Sequence, residues 1–187
     1  MRIVKYREER KQEIIDTAKR LFLKYGTEQT SVSQLVREVG VAHGLFYYYF
    51  KSKEEVMASV LDQMIEDFSN ELTEALRAAG DGFYPQLMLL INTIFDVHNK
   101  QTPVPKSDDW ISSHYHAQVV NVLDEAGRDI LAKGVAQGHL TMNHPDLVFQ
   151  MMIGGSVLLI EKSHVPREVL IEVIVQILGL PQDSIRL

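Results

Sequence analysis

Cysteine is absent from all 187 residues. That excludes a disulfide framework, a thiol nucleophile and any zinc site built on thiolates. It fits a reducing compartment, so the expected location is the cytoplasm. No apolar segment follows the basic opening MRIVKYREERK, and nothing there reads as a secretory signal. Long hydrophobic runs are missing too. The most apolar stretch, Leu147 to Ile160, is interrupted by Gln150 and is too short to cross a bilayer as a helix. It reads as a buried helix, and no membrane partner is expected. Strand-type alternation between turns, internal repeats and low-complexity tracts are also lacking.

What is present is the composition of a globular chain, 45% hydrophobic and 24% charged. The length allows one domain or two small ones, with a sizeable core. The net charge of −6 is unevenly spread. Residues 1–53 hold 11 Lys and Arg against 6 Asp and Glu, and residues 54–187 hold 8 against 19. A basic end on an acidic protein is the electrostatic footprint of polyanion binding, although small basic segments also arise by chance.

The periodicity predicts an all-α chain of about nine helices. Ile14, Ala18, Leu21, Phe22 and Tyr25 form one stripe of a first helix from about Arg7 to Tyr25, closed by Gly26. Ser31 with Gln34 makes a capping box for a short second helix that buries Leu35, Val36 and Val39. Gly40 supplies a tight turn into a third helix, about His43 to Tyr49. Ser52 with Glu55 caps a fourth, running to about Ala79. Two short helices about a glycine turn, after a longer helix, make a helix-turn-helix. Further helices are expected from Pro85 to His98, from Trp110 to Gln137 with a break near His114, from Pro145 to Glu161, and from Pro166 on. QTPVPKSDD reads as a loop. The last two helices are apolar on nearly every face. Either both are interior helices, or a second copy of the chain packs on them in a two-fold four-helix interface; the second reading is preferred. Gly154 and Gly155 would let another helix cross closely.

Residues 46–50 read FYYYF. On a helix Phe46 and Phe50 share a face and belong to the core, against Leu21, Phe22 and Val36. Tyr47, Tyr48 and Tyr49 take other faces, where a hydroxyl can reach a phosphate while the ring packs on the helix. A membrane wedge has no use for three hydroxyls.

These stretches, IIDTAKRLFLKYG, TSVSQLVREVGV and GLFYYYFKSKEEV, together resemble the TetR family of bacterial transcriptional regulators over about Lys11 to Met57. Beyond them only the helical architecture is similar. The resemblance implies a DNA-binding domain at 1–53 and a ligand-binding and dimerisation domain at 54–187. It implies that Ser31 and Ser33 bond a phosphate at a helix N-terminus. His43, Gly44 and Leu45 would face base edges, and Tyr47, Tyr49 and Lys53 would contact phosphates. Tyr48 is a further contact or simply surface packing. Two positions depart from the family pattern. Ala42 stands where serine is common and cannot cap the recognition helix, a loss of about 1 kcal/mol. Leu45 stands where threonine is common; it cannot hydrogen-bond a base but can touch a thymine methyl. The basic arm with Arg2, Lys5 and Arg7 either reaches the minor groove or is disordered when free, the latter being preferred.

The resemblance further implies a small-molecule effector bound among the C-terminal helices. Phe68, Met88, Phe95, His98, Trp110, Tyr115, His116, Phe149 and Met152 are candidate lining residues, although such residues at helical spacing are usually core. His114 and His116 point to different sides of a helix, so no metal is expected, and no other cofactor is implied. No nucleophile–base–acid set is apparent, and the chain is read as a regulator, not an enzyme. The expected partners are a double-stranded DNA operator, the effector, and a second copy through the last two helices. Effector binding would favour a dimer with altered spacing of the recognition helices, with the fourth helix as the lever. The expected role is repression relieved by an apolar or amphipathic molecule. Activation, a helical protein-interaction module, and an enzyme using the histidines are the alternatives.

Overall fold

The computed structural model describes residues 2–99, 109–163 and 165–181, with side chains at 7–97, 114–156, 159 and 165–181. Among these residues it is all helical: α1 (Arg2–Tyr25), α2 (Val32–Val39), α3 (His43–Tyr49), α4 (Lys53–Ala78), α5 (Phe83–Asn99), α6 (Asp109–Ala136), α7 (Pro145–Ser163) and α8 (Arg167–Leu178). That is eight helices among the described residues, close to the nine expected. The break expected near His114 does not occur, because no Gly or Pro interrupts α6 before its midpoint. Two starts also differ. α1 begins at Arg2, since nothing from Arg2 to Arg7 breaks a helix. α5 begins at Phe83, placing Pro85 third; the first turn's N–H groups have no helical acceptor, so the missing donor costs nothing there. The expected loop QTPVPKSDD lies almost wholly outside the described residues.

The chain divides into two compact units. The first holds α1 to α3, α4 as far as Phe68, and α6 as far as His116. Its core is Ile14, Ala18, Leu21 and Phe22 of α1, Leu35 and Val36 of α2, Phe46, Phe50, and Val56 and Val60 of α4, all buried. α2 starts where expected: Ser31 is its N-cap, and its Oγ accepts the Gln34 N–H at 3.2 Å. α2 closes on Gly40 at φ 76°, which only glycine adopts without strain; the N–H groups of Gly40 and Val41 both return to Val36 O. Tyr25 departs from expectation. It is 45% exposed at the last position of α1, with Lys24 Nζ over its ring.

The second unit takes α4 from Ser69, α5, α6 from Ala117, α7 and α8. Phe83, Leu87, Leu90, Ile91, Ile94 and Phe95 of α5 are buried, with Leu123, Ile130 and Leu131 of α6, Phe149 and Ile153 of α7, and Leu170, Ile171, Ile174, Val175 and Leu178 of α8. The Phe149 ring occupies the space beside Gly127 on α6, where an added Cβ would lie 2.0 Å from a ring carbon. Gln86 is the unit's buried polar knot: it donates to Gly80 O at 2.7 Å and accepts from Lys133 Nζ at 2.9 Å, tying the turn after α4 to the end of α6. Leu147, Met151 and Leu159 of α7, and Val169, Val173 and Ile177 of α8, are exposed. Their spacings of about four residues make an outward apolar stripe on each helix. Gly154 and Gly155 are open on the same stretch of α7. No helix is long and apolar enough to cross a membrane among the described residues.

Candidate nucleic-acid interface

Helix α3 is held from beneath. Phe46 and Phe50 are each 1% exposed, with ring centroids 6.0 Å apart. α3 stops at Tyr49; Phe50 turns extended, yet its N–H still reaches Phe46 O, so both rings stay on the core side. That fixes the rotation of α3 and turns the other rings outward. Tyr47 is 54% exposed and Tyr48 59%, while Tyr49 is half-buried. The Tyr47 ring stands edge-on to Phe46, and the Tyr48 ring edge-on to Tyr49. The Arg7 guanidinium covers the Tyr48 ring at 5.0 Å, so Tyr48 packs against α1.

The N-terminus of α3 is uncapped: Ala42 takes the N-cap position with extended backbone and no side-chain bond. His43, Gly44 and Leu45 follow, all exposed. His43 Nε2 and Ser33 Oγ share a hydrogen bond at 3.2 Å, which joins the starts of α2 and α3. Ser31 Oγ uses a lone pair on Gln34 N–H, leaving its proton directed elsewhere.

Lys53, in the first turn of α4, is half-buried and donates to Thr27 O at 2.9 Å. Its ammonium therefore ties α4 to the loop after α1 and keeps two further hydrogens. Beside it, the Glu54 carboxyl sits below its usual range, chiefly through a hydrogen bond from Ser52, helped by its own backbone N–H and by Lys53. Ser52 Oγ also accepts Glu55 N–H, but Glu55 closes on Lys51 N–H, one residue short of a reciprocal capping box. Thr30 was not foreseen: wholly buried, it donates to Gly26 O at 2.8 Å and fastens the α1–α2 loop. A buried hydroxyl in a TEQTS stretch carries no periodic signal to find it by.

The expected effector-lining residues do not share one unit. Phe68, Tyr115 and His116 fall in the first; Met88, Phe95, Phe149 and Met152 fall in the second. The side chains of His98 and Trp110 lie outside the described residues. Phe95 is buried, Met88 and Met152 are half-buried, and the Phe149 ring is spent on Gly127. A groove of about 480 Å³ in the first unit is lined by Asp16, Lys19, Arg20, Leu23, Lys24 and Gln63, none of which was expected to line a site. Lys19 pairs with Asp67 and Arg20 with Glu38, so two of its cations are already matched. Among the described residues no three His, Asp or Glu side chains gather as a metal site would need.

Residues 14–60 match the sequence model of the bacterial regulatory proteins of the tetR family. The N-terminal segment belongs to the TetR family. This TetR segment covers α2, α3 and the capped start of α4, along with the core stripe of α1. The chain is 32% identical over 65 residues to the fatty acid metabolism regulator protein of Bacillus subtilis, covering 35% of this chain and 34% of that one. It is 28% identical over 160 residues to the HTH-type transcriptional repressor KstR2 of Mycolicibacterium smegmatis, covering 74% and 69%. The first four curated relatives are matched over 34%, 22%, 28% and 45% of their own length, so less than half of each is spanned. The fold beyond the TetR segment is shared with solved structures: RolR in complex with resorcinol superposes with a TM-score of 0.64 at 17% identity, over 95% of this chain and 91% of that one.

Proposed function

We propose that the chain is a homodimeric transcriptional regulator that reads a palindromic DNA operator and releases it when a small amphipathic molecule binds the C-terminal helices. One observation carries the reading: Tyr47 stands exposed on a helix whose Phe46 and Phe50 are locked into the core, within the segment that matches the TetR family. A polar-tipped ring on a rigid base is what phosphate positioning asks for. His43, Gly44 and Leu45 then present to base edges. Ser31, Ser33, Tyr47, Tyr49 and Lys53 position the backbone, with Tyr48 beside Arg7. Residues 1–53 are the reader, residues 54–187 the ligand and dimer domain, and the site of action is the cytoplasm.

The outward stripes of α7 and α8 support the dimer, since exposed apolar stripes on adjacent helices want cover. Two recognition helices must then fit major grooves about 34 Å apart. α4 runs from Lys53 at the reader to Ala78 in the second unit, which suits it to transmit a change. The relatives' names bear on the ligand: one is a fatty acid metabolism regulator, and RolR is in complex with resorcinol, a small organic molecule with polar groups on an apolar ring. The effector acts only through its different affinity for the two dimer forms.

The decisive experiment is a fluorescence titration of DNA flanking the chain's own gene, across a salt series, beside an unrelated duplex of equal length. Selective binding that falls steeply with salt is expected, because phosphate neutralisation releases counterions. Equal, weak binding to both, repeated in a genome-wide selection, would leave a protein-interaction module as the reading.

A further inference from the structure

Arg167 opens α8 with a charge that the described residues leave unmatched. One terminal nitrogen donates to Asn92 Oδ1 on α5, a neutral acceptor. The guanidinium carbon lies 5.9 Å from the centroid of the buried Phe95 ring. Asn92 and Phe95, three residues apart, present one face of α5 to it. The Nε–H is buried with no hydrogen-bond partner, and no carboxylate among the described residues pairs with the side chain.

Position adds to the cost. The first turn of a helix carries partial positive charge, which disfavours a cation, and the N-cap Pro166 offers no side-chain acceptor. Leaving a donor buried and unpaired costs stability, more when it is charged. The contact with Phe95, at the outer range of such pairs, returns only part of that cost. A methionine would fill the same space without either cost. An arginine here makes physical sense as half of a pair.

The missing half is anionic. Arg167 is the one Lys or Arg on α5 and α8, from Phe83 to Asn99 and from Arg167 to Leu178. A single cation beside the buried Phe95 ring matches a monoanion with an apolar body, whereas a phosphate dianion would stay half-compensated. The planar guanidinium suits the two oxygens of a carboxylate.

We propose that Arg167, Asn92 and Phe95 form the anion-binding end of a site for an amphipathic carboxylate, the effector class of the regulator proposed above, on which the word effector rests. The binding itself is tested without DNA. The full chain is titrated with octanoate, decanoate, benzoate and phenylacetate, beside octanamide and benzamide, by calorimetry and by thermal shift. At least one acid should raise the melting temperature and bind at least tenfold more tightly than its amide. Arg167→Met should erase that preference while keeping the helical circular dichroism, and Arg167→Lys should keep part of it. Acids and amides binding alike, or no acid binding the unaltered chain, overturns the site, whatever the variants do. An acid preference that survives Arg167→Met overturns it as well. An acid that binds through Arg167 yet leaves operator affinity unchanged keeps the site and removes the regulatory reading.

Discussion

Tyr47 and Phe46 are neighbours in sequence with opposite surroundings, one 54% and the other 1% exposed. The four-residue spacing of Phe46 and Phe50 made this division legible, since helical geometry leaves one solution for which rings go inward. Tyr47→Phe keeps the ring and removes the hydroxyl. It should leave the melting temperature unchanged and weaken operator binding about tenfold or more, the worth of one hydrogen bond to a charged phosphate. An anisotropy titration checks it; unchanged affinity would return Tyr47 to the plain surface. Lys53 is harder to read from sequence, because its half-buried bond to Thr27 O depends on where the α1–α2 loop passes. Lys53→Met should therefore act twice: stability falls by about 1 kcal/mol in urea, and the slope of log affinity against log salt falls by about one. A stability loss with an unchanged salt slope would make Lys53 a brace alone. Thr30 and Arg167 escaped notice for the same reason. Lone polar residues declare themselves only once the fold shows what surrounds them.

At the scale of elements, the helix starts with polar caps were legible and the exceptions have local causes. Ser31 caps α2 as the capping-box spacing requires, but Pro85 sits inside the first turn of α5 instead of opening it. α3 has a vacant cap, since Ala42 holds the right backbone, φ −74° and ψ 148°, with nothing to offer the N–H groups. Ala42→Ser should raise stability by about 0.5–1 kcal/mol by chemical denaturation, with operator binding kept or improved. No gain would mean that the α3 N–H groups are already satisfied by solvent. The α6–α7 packing gives the opposite sign. A Cβ at Gly127 would meet three Phe149 ring atoms within 2.0–2.4 Å, and Phe149 is buried. Gly127→Ala should cost about 1–3 kcal/mol through overpacking. Adding Phe149→Leu should recover part of that loss, so the pair is less than additive. Full additivity would show that the ring moves aside freely.

For the whole molecule, the sequence carried two signals that no single helix holds. One is the basic start on an acidic chain; the other is the apolar excess of the last two helices. The excess was legible as a demand for cover, and the described residues locate it: Leu147, Met151 and Leu159 on α7, Val169, Val173 and Ile177 on α8. A lining for the proposed effector was the least legible, because Met and aromatic residues at helical spacing look alike as core and as lining. A dimer through the two stripes makes a sharp prediction. Met151 is 79% and Ile177 52% exposed, so charges there disturb the folded monomer little. In a two-fold interface each charge would be buried against apolar surface without a partner. Met151→Glu with Ile177→Glu should therefore convert the dimer to a monomer in sedimentation velocity at micromolar concentration, with unchanged helical circular dichroism. Operator affinity should fall by about a hundredfold or more, because binding the second half-site is no longer intramolecular. A variant that stays dimeric would place the interface elsewhere. An unaltered chain that sediments as a monomer would leave one reader per molecule, and a palindromic operator would then lose its physical reason.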